Sequence, residues 1–98
     1  MFTVIIVPRA RRQVITAAQW WRAHRAAALT LLDDELHRGL VQLAHHPNAG
    51  APLQHRGRLV RRLVLSRTGY ALIYRVLPRA RRVEVLAFWH ASRGTSPP

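Results

Sequence analysis

Apolar residues concentrate in three runs in the second half of the chain, at Leu59–Leu65, Tyr70–Leu77 and Val83–Trp89. Each run has the length of a β-strand and is rich in the aliphatic and aromatic residues that strands favour. The short connections between them contain Gly69 and Pro78, and connections of this length are typical of hairpins. The pattern therefore predicts an antiparallel meander of three strands.

The alternation of residues within these runs predicts a sheet that is apolar on both faces. Successive side chains of a strand point to opposite sides. In the second run, Tyr70, Leu72 and Tyr74 fall on one side, and Ala71 and Ile73 fall on the other. A sheet with one solvated face would instead alternate between apolar and polar residues. We therefore expect both faces of this sheet to be covered.

The first half of the chain predicts one strand and two helices. The unbroken apolar run Phe2–Val7 is typical of a strand that is central or covered on both sides. Apolar residues recur at helical spacing over 10–24 and 28–46, which predicts a helix in each range. Because adjacent residues cannot share one helix face, we expect Trp21 in the core and Trp20 at the helix edge. The apolar stripe of the second helix consists of Leu29, Leu32, Leu36, Leu40 and Leu43.

The order of elements is β-α-α-β-β-β, which predicts a two-layer α+β fold. A loop rich in proline and glycine at 47–52 leads into a four-stranded, mostly antiparallel sheet, whose second strand is antiparallel to the first. A helical hairpin covers one face of this sheet. The chain makes a single domain, expected over 1–93, with a flexible tail at 94–98. Since the hairpin covers one face only, we expect a partner to cover the other.

The composition indicates the cellular setting. The chain has no cysteine, which excludes disulfides and thiolate metal sites and fits a reducing compartment. Its longest apolar run is too short to span a bilayer, and its N-terminus lacks the charge order of a secretory signal. We therefore expect a cytoplasmic protein that does not associate with a membrane.

Two groups of polar residues are candidates for a metal site, but each has a simpler explanation. Asp33, Asp34 and Glu35 are consecutive on a helix, so their side chains diverge, and the helix dipole and pairing with arginine account for them. His45 and His46 lie at the helix end, where the dipole favours positive charge, and no further ligand has a suitable spacing. The sequence predicts no metal and no cofactor.

The chain is strongly basic. It has 16 basic residues, all of them arginine, against four acidic residues, and its net charge is +12. Basic charge at this density favours an anionic partner, either a nucleic acid or an acidic protein. Without such a partner, self-repulsion would oppose the compact state of so short a chain.

Several motifs occur together in the order and spacing of one protein family. They are Phe2–Val7 followed by Ala10 and the pair Trp20-Trp21, then Pro47, Gly50 and Pro52, then Val60 to Val76, and finally Val83 to Gly94. In this order they resemble the ParE/RelE superfamily, the toxins of type II toxin–antitoxin modules, and most closely its ParE-like, plasmid-stabilisation branch. The family usually continues the His-x-x-Arg of His90 and Arg93 with an acidic residue, where this chain has Gly94.

The resemblance implies a toxin held inactive, in a hetero-oligomer, by a cognate acidic antitoxin encoded beside it. ParE-like members are associated with inhibition of DNA gyrase, and RelE-like members with cleavage of mRNA on the ribosome. We expect non-enzymatic binding to gyrase, because RNA cleavage needs a proton donor as well as a base, and the sequence places no donor beside His90. In the RelE-like alternative, the catalytic residues would be Arg62, Arg75, His90 and Arg93.

A partly disordered, acidic segment of the antitoxin is expected to bind along the sheet. It would bury apolar side chains and pair its carboxylates with arginines, and it would order on binding. The residues expected to contact the antitoxin or the target are Arg61, Arg62, Arg75, Phe88, Trp89, His90 and Arg93.

A module that binds nucleic acid through phosphate contacts is a further alternative of a different class. The two predicted helices carry no recognition motif, and the aromatic residues are not spaced as a stacking platform. The toxin interpretation is therefore favoured.

Overall fold

The structure of the chain, a computed structural model, describes residues 1–91. In chain order the elements are β1 (Thr3–Ile6), α1 (Pro8–His24), α2 (Leu31–His45), β2 (Ala51–His55), β3 (Arg58–Val64), β4 (Tyr70–Leu77) and β5 (Arg82–His90). A short 3₁₀ turn at Ala26–Ala28 connects the two helices. The α+β fold with a helical hairpin is confirmed, while the tail predicted at 94–98 lies outside the described residues.

The strands form one sheet in the order β1-β5-β4-β3-β2. β1 pairs with β5 in parallel, and the other three pairs of neighbours are antiparallel. The predicted meander therefore exists as β3, β4 and β5. β3 runs in the same direction as β1, so the expectation that the first strand of the meander is antiparallel to β1 is wrong. Its direction changes because a further strand, β2, precedes it.

β2 makes the sheet five-stranded rather than four-stranded. The segment contains Pro52 and a single large aliphatic residue, Leu53, which is why the sequence indicates a loop there. Its strand character comes from pairing with β3, in which Leu53 lies opposite Val60. Proline lacks an N–H for the ladder and is found in edge strands, and β2 is at the edge of this sheet.

β1 lies at the opposite edge, so the prediction that Phe2–Val7 is central or covered on both sides is wrong. Val4 and Ile6 pack against the helix-side core, whereas Ile5 points away from it and is 40% exposed. The unbroken apolar run therefore belongs to a short edge strand in which alternate side chains face the core and the side chain between them is exposed. No helix within residues 1–91 combines the length and apolar character needed to cross a membrane.

The two helices cover one face of the sheet, as predicted. Trp21 is buried and donates its indole N–H to the carbonyl of Ala28 at 2.7 Å, while Trp20 is 44% exposed, as expected. Leu32 and Leu43 are buried, and Leu36 and Leu40 are partly buried in the same core. Leu29 precedes α2 and is exposed, because that helix begins at Leu31 rather than at residue 28. The sheet and the turn after β3 add further buried residues to this core: Leu65 from the turn, and Tyr70, Leu72, Tyr74, Val83, Val85 and Phe88 from the strands.

The other face of the sheet, which we call the open face, carries a small apolar cluster of its own. Val60, Ile73, Ala87 and Trp89 are buried there, and Leu53 and Leu86 pack against them. Opposite Ile73 and Tyr74 the pairing register shifts and leaves Leu86 as an extra residue in β5. Such a bulge increases the local twist of a sheet. The centre of the open face is therefore not the exposed apolar surface that the sequence predicts.

A buried carboxylate fastens α2 to the turn between β3 and β4. Glu35 accepts hydrogen bonds from the backbone N–H groups of Arg67 and Thr68, at 2.8 and 2.9 Å, and from the Thr68 hydroxyl at 2.7 Å. Burial alone would raise the pKa of Glu35, but these hydrogen bonds and the charge of Arg38 outweigh it, and the pKa is lowered. The helix dipole, expected to account for this residue, is not its main contact.

We expect E35Q to lower the free energy of unfolding by about 1–3 kcal/mol near neutral pH, because the new amide turns N–H donors toward the donors of Arg67 and Thr68. Asp34→Asn is the matched control on the exposed side of α2 and should change it by less than about 0.5 kcal/mol. Urea denaturation measures both values.

The same carboxylate predicts a pH dependence of stability. Since the folded pKa of Glu35 lies below its unfolded value, its contribution is present above the unfolded pKa and is lost as the pH falls through the folded pKa. E35Q should therefore lose less stability than the parent chain between about pH 7 and about pH 3. Equal losses in the two proteins would contradict this role.

Candidate functional site

The residues expected to form the binding site lie in three different places. Arg61 is on the helix side of β3, and Arg62 and Arg75 are on the open face. Phe88, Trp89 and His90 are at the end of β5. Arg93 lies outside the described residues.

Arg61 has a structural role. Its Nη1 donates hydrogen bonds to the carbonyls of Gly50, at 2.7 Å, and Asn48, at 3.2 Å. The hydroxyl of Tyr74 accepts a hydrogen bond from the Gly50 N–H at 2.8 Å, and burial raises the pKa of that hydroxyl. A β-carbon on Gly50 would lie 2.7 Å from this hydroxyl, so the position requires glycine. Arg61 and Tyr74 together hold the loop before β2 against the sheet.

Arg62 and Arg75 share the open face with an ion-pair cluster. Arg75 donates from Nε to Glu84 Oε1 at 2.7 Å, and its Nη2 lies 2.6 Å from the same oxygen. Arg82 Nε lies 3.3 Å from Glu84 Oε2, at ion-pair distance but without a hydrogen bond. The charge of Arg75 is therefore compensated, whereas Arg62 is exposed and makes no ion pair within residues 1–91.

At the end of β5 three aromatic rings are packed together. The rings of Tyr70 and Phe88 stack with centroids 4.9 Å apart, and His90 meets Tyr70 edge-on at 5.1 Å. Gly69 has a φ of +83°, and a β-carbon there would lie 2.7 Å from His90 Nε2. The turn before β4 therefore needs glycine both for its conformation and for the space that His90 occupies.

A cleft of about 750 Å³ separates α1 from the end of β5. One wall is the α1 stripe Arg9, Arg12, Gln13, Thr16, Ala17 and Trp20, continued by Arg25. The other wall is Tyr70, Phe88, Trp89 and His90. Three of the predicted site residues therefore line one cleft, together with arginines that the sequence interpretation did not include. Their positions at i, i+3 and i+4 spacing along α1 are the signal that could have identified them.

The electrostatic field of the arginines also reaches a histidine. Burial lowers the pKa of His55, and the positive charges of Arg56 and Arg9 lower it further. Its neutral form is therefore favoured at neutral pH. Within residues 1–91, no three histidine, aspartate or glutamate side chains converge in a way that could hold a metal ion.

The residues that the RelE-like alternative requires are not all on one face. Arg62 lies opposite Ile73, and Arg75 is two residues further along β4, so both belong to the open face. His90 lies opposite Tyr70, whose side chain belongs to the helix-side core. The sheet therefore separates His90 from Arg62 and Arg75.

Neighbouring arginines on opposite faces of β3 provide a stability test. We expect R61Q to lower the free energy of unfolding by about 1 kcal/mol, because it removes hydrogen bonds to the carbonyls of Gly50 and Asn48. R62Q, the matched control, should change it by less than about 0.5 kcal/mol. Thermal and urea unfolding measure the pair, and equal effects would show that Arg61 does not hold the loop.

Comparisons with known proteins identify the family. Residues 4–94 match the family model of the ParE toxin of the type II toxin–antitoxin system parDE. No curated protein matches the chain.

Solved structures of toxins share the fold. The chromosomal ParDE toxin–antitoxin system from P. aeruginosa superimposes with a TM-score of 0.72 at 17% identity, over 92% of this chain and 96% of that one. A RelBE complex from Mycobacterium tuberculosis gives 0.62 at 22% identity, over 91% and 90%. The E. coli RelBE complex gives 0.59 at 19% identity, over 90% and 94%. With the family model matching from β1 to beyond β5, the chain belongs to the ParE toxins of type II toxin–antitoxin systems.

Proposed function

We propose that this toxin acts in the cytoplasm by binding and inhibiting DNA gyrase, without catalysis, and that a cognate acidic antitoxin neutralises it. The placement of His90 carries the proposal. Cleavage of RNA needs a base and cations around one scissile phosphate. His90 lies on the helix side of the sheet, whereas Arg62 and Arg75 lie on the open face.

The contacts of the arginines also support a binding role over a catalytic one. Arg75 is paired with Glu84, so its charge is already partly neutralised before any phosphate approaches. His90 is packed against Tyr70 beside Gly69, which restricts its movement. Neither arrangement presents a mobile acid–base pair to a substrate.

The charge balance supports an antitoxin partner. The net charge is +12. Glu35 and Glu84 are committed to contacts inside the fold. The structural relatives include a ParDE toxin–antitoxin system and RelBE complexes, in which a toxin is held with an antitoxin. An acidic partner would supply the carboxylates that this chain lacks.

A RelE-like ribonuclease is the second candidate, and one observation favours it. Arg62 is exposed on the open face, and the nearby cluster of Arg75, Arg82 and Glu84 has two guanidinium groups for one carboxylate, so that face could hold an RNA backbone. The ribonuclease would then need a base other than His90. His55 in β2, whose neutral form is favoured, could serve as that base.

Two assays on the purified chain separate these functions. We expect it to inhibit DNA supercoiling by gyrase and to leave mRNA intact on translating ribosomes, because its candidate catalytic residues are on different faces.

Expression of the chain alone should arrest growth, and co-expression of the acidic product of the neighbouring reading frame should restore growth.

The R62Q variant gives the control for the catalytic alternative. Cleavage of ribosome-bound mRNA that R62Q abolishes, with gyrase unaffected, would replace gyrase inhibition by the RelE-like function. Binding to DNA or RNA without growth arrest would instead favour a nucleic-acid-binding module.

A further inference from the structure

The cleft between α1 and the end of β5 carries positive charge that the protein does not compensate. Arg9, Arg12 and Arg25 line it, and no aspartate or glutamate of the described residues does. The ion pairs found within residues 1–91 belong to Arg75 and Arg82 instead. A concave site with uncompensated cations attracts an anionic ligand.

Gln13 adds a neutral hydrogen-bond donor to the same wall. Its Oε1 accepts a hydrogen bond from the backbone N–H of Phe88 at 2.8 Å, which fixes the orientation of the side-chain amide. The amide nitrogen makes no hydrogen bond within residues 1–91 and is left as a donor. Thr16, which is one turn further along α1, adds a hydroxyl to the lining. These groups suit a ligand with several acceptor oxygens.

The arginines are spaced for more than one anionic group. Arg9 and Arg12 are three residues apart on α1, a spacing that leaves about 5–6 Å between β-carbons on one side of a helix. Arg25 follows α1 and lies over the rings of Trp20 and Trp21, 5.8 and 6.0 Å from their centroids. Contact with the two rings holds this guanidinium group in place. The arrangement therefore matches a ligand with at least two linked anionic groups.

The ring faces of the aromatic residues in the cleft are already used inside the protein. Tyr70 stacks on Phe88, and Trp20 stacks on His24 with centroids 4.4 Å apart. Trp89 is 7% exposed. A nucleobase needs an open ring face for stacking, so the cleft is not built to bind a base in this way.

Phosphate is the anionic group that these donors fit best. A guanidinium group presents a planar fork of N–H donors that binds phosphate oxygens in a bidentate manner. Each phosphate of a chain also has more acceptor oxygens than its arginine uses, which leaves some for neutral donors such as the Gln13 amide. The cleft, at about 750 Å³, has room for several linked phosphates.

We propose that the cleft binds a short chain of linked phosphates, which is either inorganic triphosphate or the phosphate end of a free nucleotide. Successive phosphates accept hydrogen bonds from Arg9 and Arg12, and Arg25 binds the end of the chain. Occupancy would reduce the repulsion among these arginines and stabilise the fold. The site does not depend on the cellular target proposed above, because its ligand is a small molecule.

Paired variants of α1 test the role of the cleft arginines. We expect R9Q/R12Q to weaken binding of inorganic triphosphate at least about tenfold, because two charge-assisted contacts are lost. R11Q/R22Q is the matched control, since Arg11 and Arg22 are exposed on the opposite side of α1 and the change in net charge is the same. It should weaken binding less than about threefold, because distant exposed charges are screened. Isothermal titration calorimetry measures the affinities, and circular dichroism confirms that each variant is folded.

A series of ligands tests the requirement for linked phosphates. Orthophosphate and adenosine should each bind at least about tenfold more weakly than inorganic triphosphate. ATP that binds more tightly than triphosphate identifies a free nucleotide as the source of the chain, whereas equal affinities identify the phosphate chain alone, and both results support the site. Orthophosphate that binds as tightly as triphosphate would overturn the proposal.

A histidine near Arg9 reports where the anion binds. Burial lowers the pKa of His55, and the charges of Arg56 and Arg9 lower it further. A phosphate chain at Arg9 offsets that charge, so triphosphate should raise the pKa of His55 toward its ordinary value, and should raise it less in R9Q/R12Q. NMR titration of the imidazole ring measures this pKa. If it is unchanged at saturating triphosphate, the anion binds elsewhere and the assignment to the cleft is wrong.

Two further outcomes would overturn the phosphate site and leave the proposed toxin function intact. Equal weakening by R9Q/R12Q and R11Q/R22Q would show attraction by net charge alone. A single-stranded oligonucleotide that binds more tightly than triphosphate, and that R9Q/R12Q weakens more than the control does, would assign the cleft to nucleic acid.

Discussion

The fold depends on the pairing of β4 with β5, to which most other elements attach. Every residue from Tyr70 to Tyr74 is buried, because β4 contributes alternately to the helix-side core and to the open-face cluster. β1 and β3 pair with the outer edges of this hairpin, and α1 is fastened to β5 through Gln13. Tyr74 also holds the loop at Gly50, and the turn that begins β4 is held by Glu35. Perturbing this hairpin would therefore disturb both apolar clusters at once.

The sequence predicts well the elements whose stability is local or whose apolar pattern is long. The meander and the two helices belong to this class, because their apolar patterns extend along each element. β2 could not be predicted, since Ala51–His55 has loop composition and becomes a strand only by pairing with β3. The edge position of β1 could not be predicted either. An unbroken apolar run indicates burial on two sides. In the structure, however, Ile5 is exposed, and β1 pairs with a neighbouring strand, β5, on one side only.

The site shows the same division between local and non-local information. Strand parity alone places Arg61 and Arg62 on opposite faces, but only the tertiary contacts show that Arg61 binds the loop carbonyls. The separation of His90 from Arg75 depends on the pairing register of β5 with β4, which includes a bulge. The approach of Arg9 and Arg12 to Trp89 and His90 depends on β5 being longer than β1. Neither property is encoded in a short motif.

The distribution of carboxylates explains why this small basic domain is suited to binding. Of its four acidic residues, Glu84 is surrounded by Arg75 and Arg82, and Glu35 is used to hold a turn. The fold therefore compensates Arg75 and Arg82 in the sheet, whereas Arg12 and Arg25 of the cleft are exposed to water, which screens their repulsion. Desolvation of these guanidinium groups would be costly unless carboxylates replaced the water. A cationic surface of this kind is complementary to an anionic partner and discriminates against cationic partners by charge.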